Sequence, residues 1–258
     1  MKVAAALLTT LLAGCAGAPV NHPAAPAVVA LPHVHHFSLN RPGDPMPTGW
    51  QPWTLSRFKK PTQYQLVDSD GRTVVKASAR ASASGLVHPL GLDPRHYPVL
   101  TWQWKVTELI RTADNTRKNT EDSPVRVVVS FAGDLDRLPL DDRVFYDNIR
   151  LATGHQLPYA TLMYIWENRA ARNTVIPNRY TTRIKMIVAE SGRAKVGTWQ
   201  QVSRNVYEDY KRAFGEEPGR ITAVAIMTDT DNTGENVHAY YGDIAFRQAS
   251  GMQNAASE

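Results

Sequence analysis

Leu100-Thr-Trp-Gln-Trp-Lys-Val106 is the stretch that decides the fold, because apolar and polar residues alternate along it without interruption. Alternate side chains of a strand lie on the same face, so Leu100, Trp102, Trp104 and Val106 form one apolar surface. Similar runs rich in Val, Ile, Thr, Tyr and Trp recur along the chain, separated by Gly, Pro, Asp and Asn. This pattern predicts an all-β fold, an antiparallel β-sandwich with one or two short helices.

Further runs extend this prediction over most of the chain. They are 34–39, 63–67, 73–79, 85–90, 125–131, 161–166, 184–189, 199–205, 222–228 and 238–246. Asp70-Gly71 lies between two of them and indicates a tight hairpin turn. Residues 206–214 repeat an apolar side chain at every fourth position before Gly215, which predicts a short helix. We expect an exposed loop over 111–122, and either a short helix or a lid-like loop within 134–158.

The N-terminus has the pattern of a lipoprotein signal peptide. Lys2 precedes an apolar run over 3–13, and the small residues before Cys15 complete the motif Leu12-Ala13-Gly14-Cys15. Cys15 is the only cysteine of the chain, which fits lipidation and excludes an intrachain disulfide. The alternative is an ordinary signal peptide that is cut just after this cysteine and leaves a soluble secreted product.

The domain organisation follows from this leader and from a composition change behind it. Residues 16–32 are dominated by Ala, Pro, Val and Gly and contain too many prolines for a helix. We predict a signal peptide over 1–14, an Ala/Pro-rich tether over 15–32 that starts at the lipidated Cys15, a single β-sandwich domain over 33–248 and a disordered tail over 249–258.

The expected location is the bacterial cell envelope, with the membrane bound through the lipid on Cys15. Ala16 rather than Asp follows the cysteine, which favours the outer membrane, facing the periplasm, by resemblance to the usual sorting rule. The formal charge of +5 and the pI near 9.3 are mild for 258 residues, and the basic residues are scattered. Nucleic-acid binding requires basic residues on one face, so we expect no nucleic-acid partner.

An acidic loop, Asp229-Thr-Asp-Asn-Thr-Gly234, is the candidate metal site. Carboxylates at alternate positions and a glycine at the sixth match the first half of a calcium loop. The twelfth position is Tyr240, so an EF-hand is excluded. A sandwich-type calcium site formed by Asp229, Asp231 and the distant Asp243 is one hypothesis. The other is a turn whose side chains bond their own backbone amides.

Catalytic motifs are missing from the sequence. It contains no Gly-x-Ser-x-Gly, no His-Glu-x-x-His and no phosphate-binding glycine loop, so we assign no catalytic residue. Histidines at 33, 35 and 36 can bind a transition metal, but near the tether and without a second ligand cluster a solvated role is favoured. Zinc sites built on several cysteines are impossible with one cysteine.

Several motifs occur in an order that resembles one bacterial family, domain of unknown function 3047. They are Ala83-Ser-Gly-Leu86, Trp102-Gln-Trp-Lys105, Arg204-Asn-Val-Tyr-Glu-Asp-Tyr210, Phe214-Gly-Glu-Glu-Pro218, Met227-Thr-Asp-Thr-Asp-Asn-Thr-Gly234 and Tyr240-Tyr-Gly-Asp-Ile244. The resemblance covers about 35 to 248 and implies an exported or lipid-anchored protein, but no activity. Its closing strand is also similar to those of carbohydrate-binding jelly rolls of the galactose-binding type, which is an analogy of fold alone.

Strand parity and this resemblance together suggest a ligand groove. We expect it to be lined by Trp104, Arg126, Tyr164, Trp166 and the loop that contains Asp229 and Asp231. The alternative for the tryptophans is a place in the core, because they alternate with apolar residues of the same strand.

Three functions follow from these observations. The leading hypothesis is a non-catalytic, lipid-anchored β-sandwich that binds an envelope glycan in this groove. The second is a glycan-acting hydrolase that uses acidic residues of the loop 229–235. The third is a structural lipoprotein whose partner is another envelope protein.

Overall fold

Two β-sheets, packed face to face, form the molecule in a computed structural model that describes residues 33–56 and 58–249. The predicted signal peptide, Cys15 and the tether lie outside the described residues, as does nearly all of the predicted tail. Among the helices of the described part, none has the length and apolar character needed to cross a membrane.

Twelve strands occur within the described residues and are numbered β1 to β12 in chain order. They are Gln51–Thr54, Gln63–Ser69, Arg72–Arg80, Ala83–Leu92, Val99–Val106, Ser123–Phe131, Ala160–Glu167, Val175–Pro177, Ile184–Ser191, Gln200–Asn205, Ile221–Asp229 and Asn236–Arg247. Two α-helices accompany them, α1 at Leu140–Thr153 and α2 at Val206–Phe214. Short 3₁₀ turns are found at Phe37–Leu39, Lys118–Thr120 and Leu135–Arg137.

The larger sheet has seven strands in the order β1-β4-β11-β6-β7-β9-β8, and the smaller has five in the order β10-β5-β12-β3-β2. Neighbouring strands are antiparallel except for β7 and β9, which run parallel. The β-sandwich prediction is confirmed, with this parallel pair as the departure from a purely antiparallel arrangement.

The core lies between the two sheets and is rich in aromatic rings. The inward face of β5 presents Trp102 and Trp104, whose ring centroids are 5.3 Å apart in an edge-on arrangement. Tyr164 and Trp166 of β7 meet them from the larger sheet, with 5.0 Å between the ring centroids of Trp102 and Tyr164. Burial of side chains this large is a main source of hydrophobic stabilisation.

Turn and cap chemistry explains the local elements that the sequence predicted. Asp70 and Gly71 both have positive φ angles and join β2 to β3, as the two-residue hairpin requires. Helix α2 begins where the Asn205 side chain accepts a hydrogen bond from the backbone N–H of Glu208. It ends at Gly215, whose φ angle is 72°.

The predicted strand over 34–39 is not formed. The segment is extended and then turns into the 3₁₀ helix, and its buried Phe37 packs 4.8 Å from the Trp50 ring centroid. Strands β1 and β8 were not predicted, because each has only three or four residues. The ambiguous region 134–158 contains α1, which has acidic residues in its first turn and ends at Gly154.

Candidate functional site

A cleft of about 250 Å³ opens on the outer face of the larger sheet, the face turned away from the five-stranded sheet. We call it the outer-face cleft. It is lined by Leu55, Lys59, Lys118, Glu121, Arg126, Met163, Asn178, Tyr180, Met227, Asp229 and Asn232.

The floor of the cleft follows from the alternation along β6, β7 and β11. Arg126 is paired in register with Met227 on one side and Ile165 on the other. Its chain neighbours Val125 and Val127 belong to the core, so the Arg126 side chain leaves the sheet on the opposite face. The walls come from loops, which bring in most of the polar groups of the cleft.

A buried ion pair joins Arg126 to Asp229 at the edge of this floor. Arg126 Nε donates to Asp229 Oδ1 at 2.8 Å and Nη2 donates to Oδ2 at 3.0 Å. Burial alone lowers the pKa of Arg126, but the Asp229 carboxylate outweighs it and raises that pKa above its ordinary value. The guanidinium therefore stays charged, and its second Nη2 contact, to the Glu121 carbonyl oxygen at 2.9 Å, holds the loop before β6.

Three carboxylates converge beside this ion pair. Asp122, Asp229 and Asp231 each place one oxygen within 4.8 Å of the others. The Asp122 carboxylate accepts hydrogen bonds from the backbone and side chains of both Asn232 and Thr233, and so fixes the β11–β12 turn. Such bonds are those expected of a turn, although the sequence assigned that role to the loop's own side chains.

Asp231 completes this cluster and is shared with a lysine. Its Oδ2 lies 2.5 Å from Lys59 Nζ, while its Oδ1 is buried and makes no hydrogen bond within the described residues. Calcium binding at these carboxylates stays one of the two hypotheses for this loop.

The predicted third calcium ligand, Asp243, lies elsewhere, and that part of the prediction is wrong. Its Oδ1 accepts a hydrogen bond from the backbone N–H of Ser38 at 3.0 Å, and its Oδ2 accepts one from the Ser38 hydroxyl. Asp243 thus anchors the segment that replaces the predicted first strand. Asp122, immediately before β6, takes the third place near Asp229 and Asp231.

Three of the residues predicted to line the groove are core residues. Trp104 and Tyr164 are 0% exposed and Trp166 is 1% exposed. They point inward, whereas Arg126 points outward, so no single groove contains all four side chains. The prediction for these three rings is wrong, and the alternative of core tryptophans is confirmed. Arg126 and Asp229 are the predicted groove residues that do line the cleft, and Asp231 lies beside it.

Sequence reasoning missed the loop residues of the cleft. Tyr180 follows β8, is 52% exposed and stacks on Phe145 of α1 at 5.9 Å with an interplanar angle of 14°. The ammonium group of Lys118 lies 4.7 Å from the centroid of the Tyr180 ring. Burial raises the pKa of the Glu121 carboxyl, although the charge of Arg126 lowers it. The signal in the sequence that could have indicated these loop residues was an aromatic residue, Tyr180, among polar positions.

The family comparison agrees with the resemblance found in the motifs. A family model described as protein of unknown function (DUF3047) matches residues 48–245. The chain belongs to this family. The recognition of family DUF3047 from the sequence motifs is confirmed. No curated protein matches the chain.

Solved structures provide distant likenesses. The family 30 carbohydrate-binding module of a Clostridium thermocellum cellulosomal cellulase is 11% identical with a TM-score of 0.34, over 74% of this chain and 83% of the module. The xyloglucanase domain of NopAA from Sinorhizobium fredii is 7% identical with a TM-score of 0.43, over 79% and 94%. The cellulose-specific module CBM28 is 12% identical with a TM-score of 0.35, over 77% and 87%. At TM-scores below 0.5, these likenesses say nothing about what this chain binds.

Proposed function

We propose that the chain is a lipid-anchored envelope protein whose β-sandwich binds a glycan in the outer-face cleft without chemical turnover. The observation that supports this most directly is an exposed aromatic ring, Tyr180, at the rim of a concave surface rich in hydrogen-bonding groups. A sugar ring has an apolar face and a polar edge, so it needs both kinds of surface at once.

The polar groups of the cleft match the hydroxyl groups of a sugar. Glu121 and the side-chain oxygen of Asn232 offer acceptors, and Lys118 offers donors. Met163 and Met227 on the floor give apolar contact of adaptable shape.

The charges favour a neutral ligand over a strongly anionic one. Arg126 is neutralised by Asp229, and Lys59 forms an ion pair with Asp231. The charges that remain at the rim, Lys118 and Glu121, have opposite signs. A polyanion therefore gains little net attraction here, whereas binding of a neutral polyhydroxyl chain does not depend on such attraction.

The acidic residues of the loop are poorly placed for hydrolysis. Both Asp229 oxygens accept hydrogen bonds from Arg126, and one Asp231 oxygen is held by Lys59. Glu235 accepts hydrogen bonds from the backbone of Arg111 and Thr112, outside the cleft. A nucleophile or general base needs a free oxygen aimed at the substrate, so the geometry favours binding over turnover.

A thermal-shift screen tests the glycan proposal. The purified chain is heated with envelope glycans one at a time, and a ligand at about 100 times its Kd adds roughly 2.7 kcal/mol to stability, which raises the Tm by several degrees. We expect a saturable rise with one class of glycan and no release of sugar products. Turnover of the bound glycan would instead support the hydrolase hypothesis, and a flat response to all glycans would favour an envelope protein as partner.

A further inference from the structure

A second candidate site lies in the segment that replaces the predicted first strand. His33 and His35 are two residues apart, and their rings lie close to each other. Their ring centroids are 4.9 Å apart. The segment packs against β4. There His35 contacts His88, a histidine that the sequence analysis did not single out. None of these three residues lines the outer-face cleft.

His88 occupies a core position and is 0% exposed. It is paired in register with Val224 of β11, and the residues two positions away in β4, Leu86 and Leu90, are core residues. A polar ring buried at such a position needs partners for both ring nitrogens, because an unsatisfied buried polar group is costly. The partners of these two nitrogens therefore define what the ring can do.

One nitrogen of His88 is fixed as a donor by the backbone. Its Nδ1 lies 3.0 Å from the carbonyl oxygen of Pro89, which can only accept a hydrogen bond. Nδ1 therefore carries the proton, and Nε2 presents a lone pair. A histidine whose Nδ1–H is held by a backbone carbonyl is the arrangement that orients Nε2 toward a metal ion in metalloproteins.

The lone pair of His88 points at His35. Nε2 is 3.3 Å from His35 Nδ1 and 3.3 Å from the His35 backbone nitrogen. Both distances exceed the usual value of about 2.9–3.0 Å for a strong hydrogen bond, so these contacts are weak. Two imidazole nitrogens that share a tetrahedral ion at about 2.0–2.1 Å lie roughly 3.3–3.4 Å from each other. The spacing of the two rings fits a shared ion without movement of the backbone of β4.

An entry path lies beside these two rings. His33 lies next to His35, and a cavity of about 280 Å³ is lined by both of them together with His36, Leu39 and Asn40. The Nδ1 of His36 lies 3.7 Å from the Asp243 carboxylate, so we do not include His36 among the ligands. Neutral imidazoles bind zinc, copper and nickel in preference to calcium or magnesium.

We propose that His35 and His88 bind one divalent transition-metal ion of the zinc or copper class. His88 binds through Nε2 and His35 through Nδ1, and waters from the adjacent cavity complete a tetrahedral shell. Binding displaces the weak contact from the His35 backbone N–H. The ion would join the N-terminal segment to the sandwich just after the predicted tether ends.

Titration of the purified full chain with Zn²⁺ alone, followed by calorimetry, tests this proposal. We expect one saturable site per chain. The His35→Ala variant should lose affinity by at least the roughly 10- to 100-fold that loss of an outer-shell partner alone causes. His96→Ala, at an exposed histidine that pairs with Asp93 instead, should bind as the wild type does. Equal affinity for His35→Ala and the wild type would overturn the proposal.

A measurement on the wild-type chain avoids the risk that substitution of the buried His88 prevents folding. Nitrogen NMR of the histidine rings reports which nitrogen binds the ion. We expect Zn²⁺ to shift the Nε2 resonance of His88 while its Nδ1 stays protonated. Zinc binding that leaves the His88 ring resonances unchanged would contradict the assignment, because the ion would then sit on exposed histidines only.

Discussion

Glu121 is a cleft residue whose ionisation is altered by its burial. Burial raises the pKa of its carboxyl, and Arg126 only partly opposes this. The folded state therefore holds its proton more tightly than the unfolded chain does. Stability falls as the pH rises from the ordinary glutamate pKa of about 4.3 through the raised folded value, and stays lower above it.

Replacing Glu121 with glutamine should remove this cost. We expect Glu121→Gln to increase the free energy of unfolding at pH 7 and to have little effect well below pH 4.3, where the carboxyl is protonated in both states. Urea unfolding at the two pH values measures this. A variant that is less stable than the wild type at both values would mean that the carboxylate makes stabilising contacts that outweigh its burial.

Trp104 tests the division between core and cleft. Because its side chain is 0% exposed between the sheets, Trp104→Ala should cost about 3–5 kcal/mol of unfolding free energy. Its indole N–H has no hydrogen-bond partner within the described residues, so Trp104→Phe should be much milder. Denaturant unfolding of both variants provides the measurement. If the Trp104→Ala protein were as stable as the wild type, the Trp104 side chain could not lie in the core as described.

The sequence predicts which alternate residues of a strand share a face. It does not predict which of the two faces lies against the core. The pattern around Trp104 gives one apolar face, and it is core. Arg126 and Tyr164 lie on neighbouring strands, and the register that sends their side chains to opposite faces is set by pairing between distant segments. The same applies to Asp122, because only the pairing of Asp229 with Ser123 brings it to the acidic cluster.

Elements with strong local signals could be predicted from the sequence. The helix α2 has an asparagine N-cap and a glycine stop, and β5 has unbroken alternation, so both were located correctly. The segment 34–39 also has strand-like composition, but no strand among the described residues pairs with it, and Phe37 is buried by packing against Trp50 instead. Composition alone does not show whether a partner strand exists.

The turn between β11 and β12 provides a prediction about calcium. The three carboxylates at this turn, Asp122, Asp229 and Asp231, already bind Arg126, Lys59 and the donors of Asn232 and Thr233. We therefore expect calcium to leave the Tm of the chain unchanged relative to chelator, in the wild type and in Asp231→Ala alike. A chelator-reversible rise of Tm that disappears in Asp231→Ala would show that the unpaired Asp231 oxygen binds calcium.

At the scale of the whole molecule, the N-terminal motif predicts that the sandwich is anchored at the cell envelope. We expect Cys15→Ser to move the protein from the membrane fraction to the soluble fraction, because the lipid is then missing. Cell fractionation with an immunoblot measures this, and Ser38→Ala serves as a matched control far from the leader. An unchanged distribution of Cys15→Ser would favour an ordinary signal peptide or a different means of attachment.

The whole-molecule account depends most on the outer-face cleft as the glycan site. The decisive measurement is a calorimetric titration of the best stabilising glycan into the wild type, Tyr180→Ala and the control Tyr207→Ala, whose ring lies on α2 outside the cleft. Loss of an aromatic stacking contact of about 0.5–1.5 kcal/mol, together with its buried area, predicts a Kd about tenfold weaker for Tyr180→Ala. Tyr207→Ala should bind as the wild type does. Equal affinity in all three proteins would contradict glycan binding in this cleft.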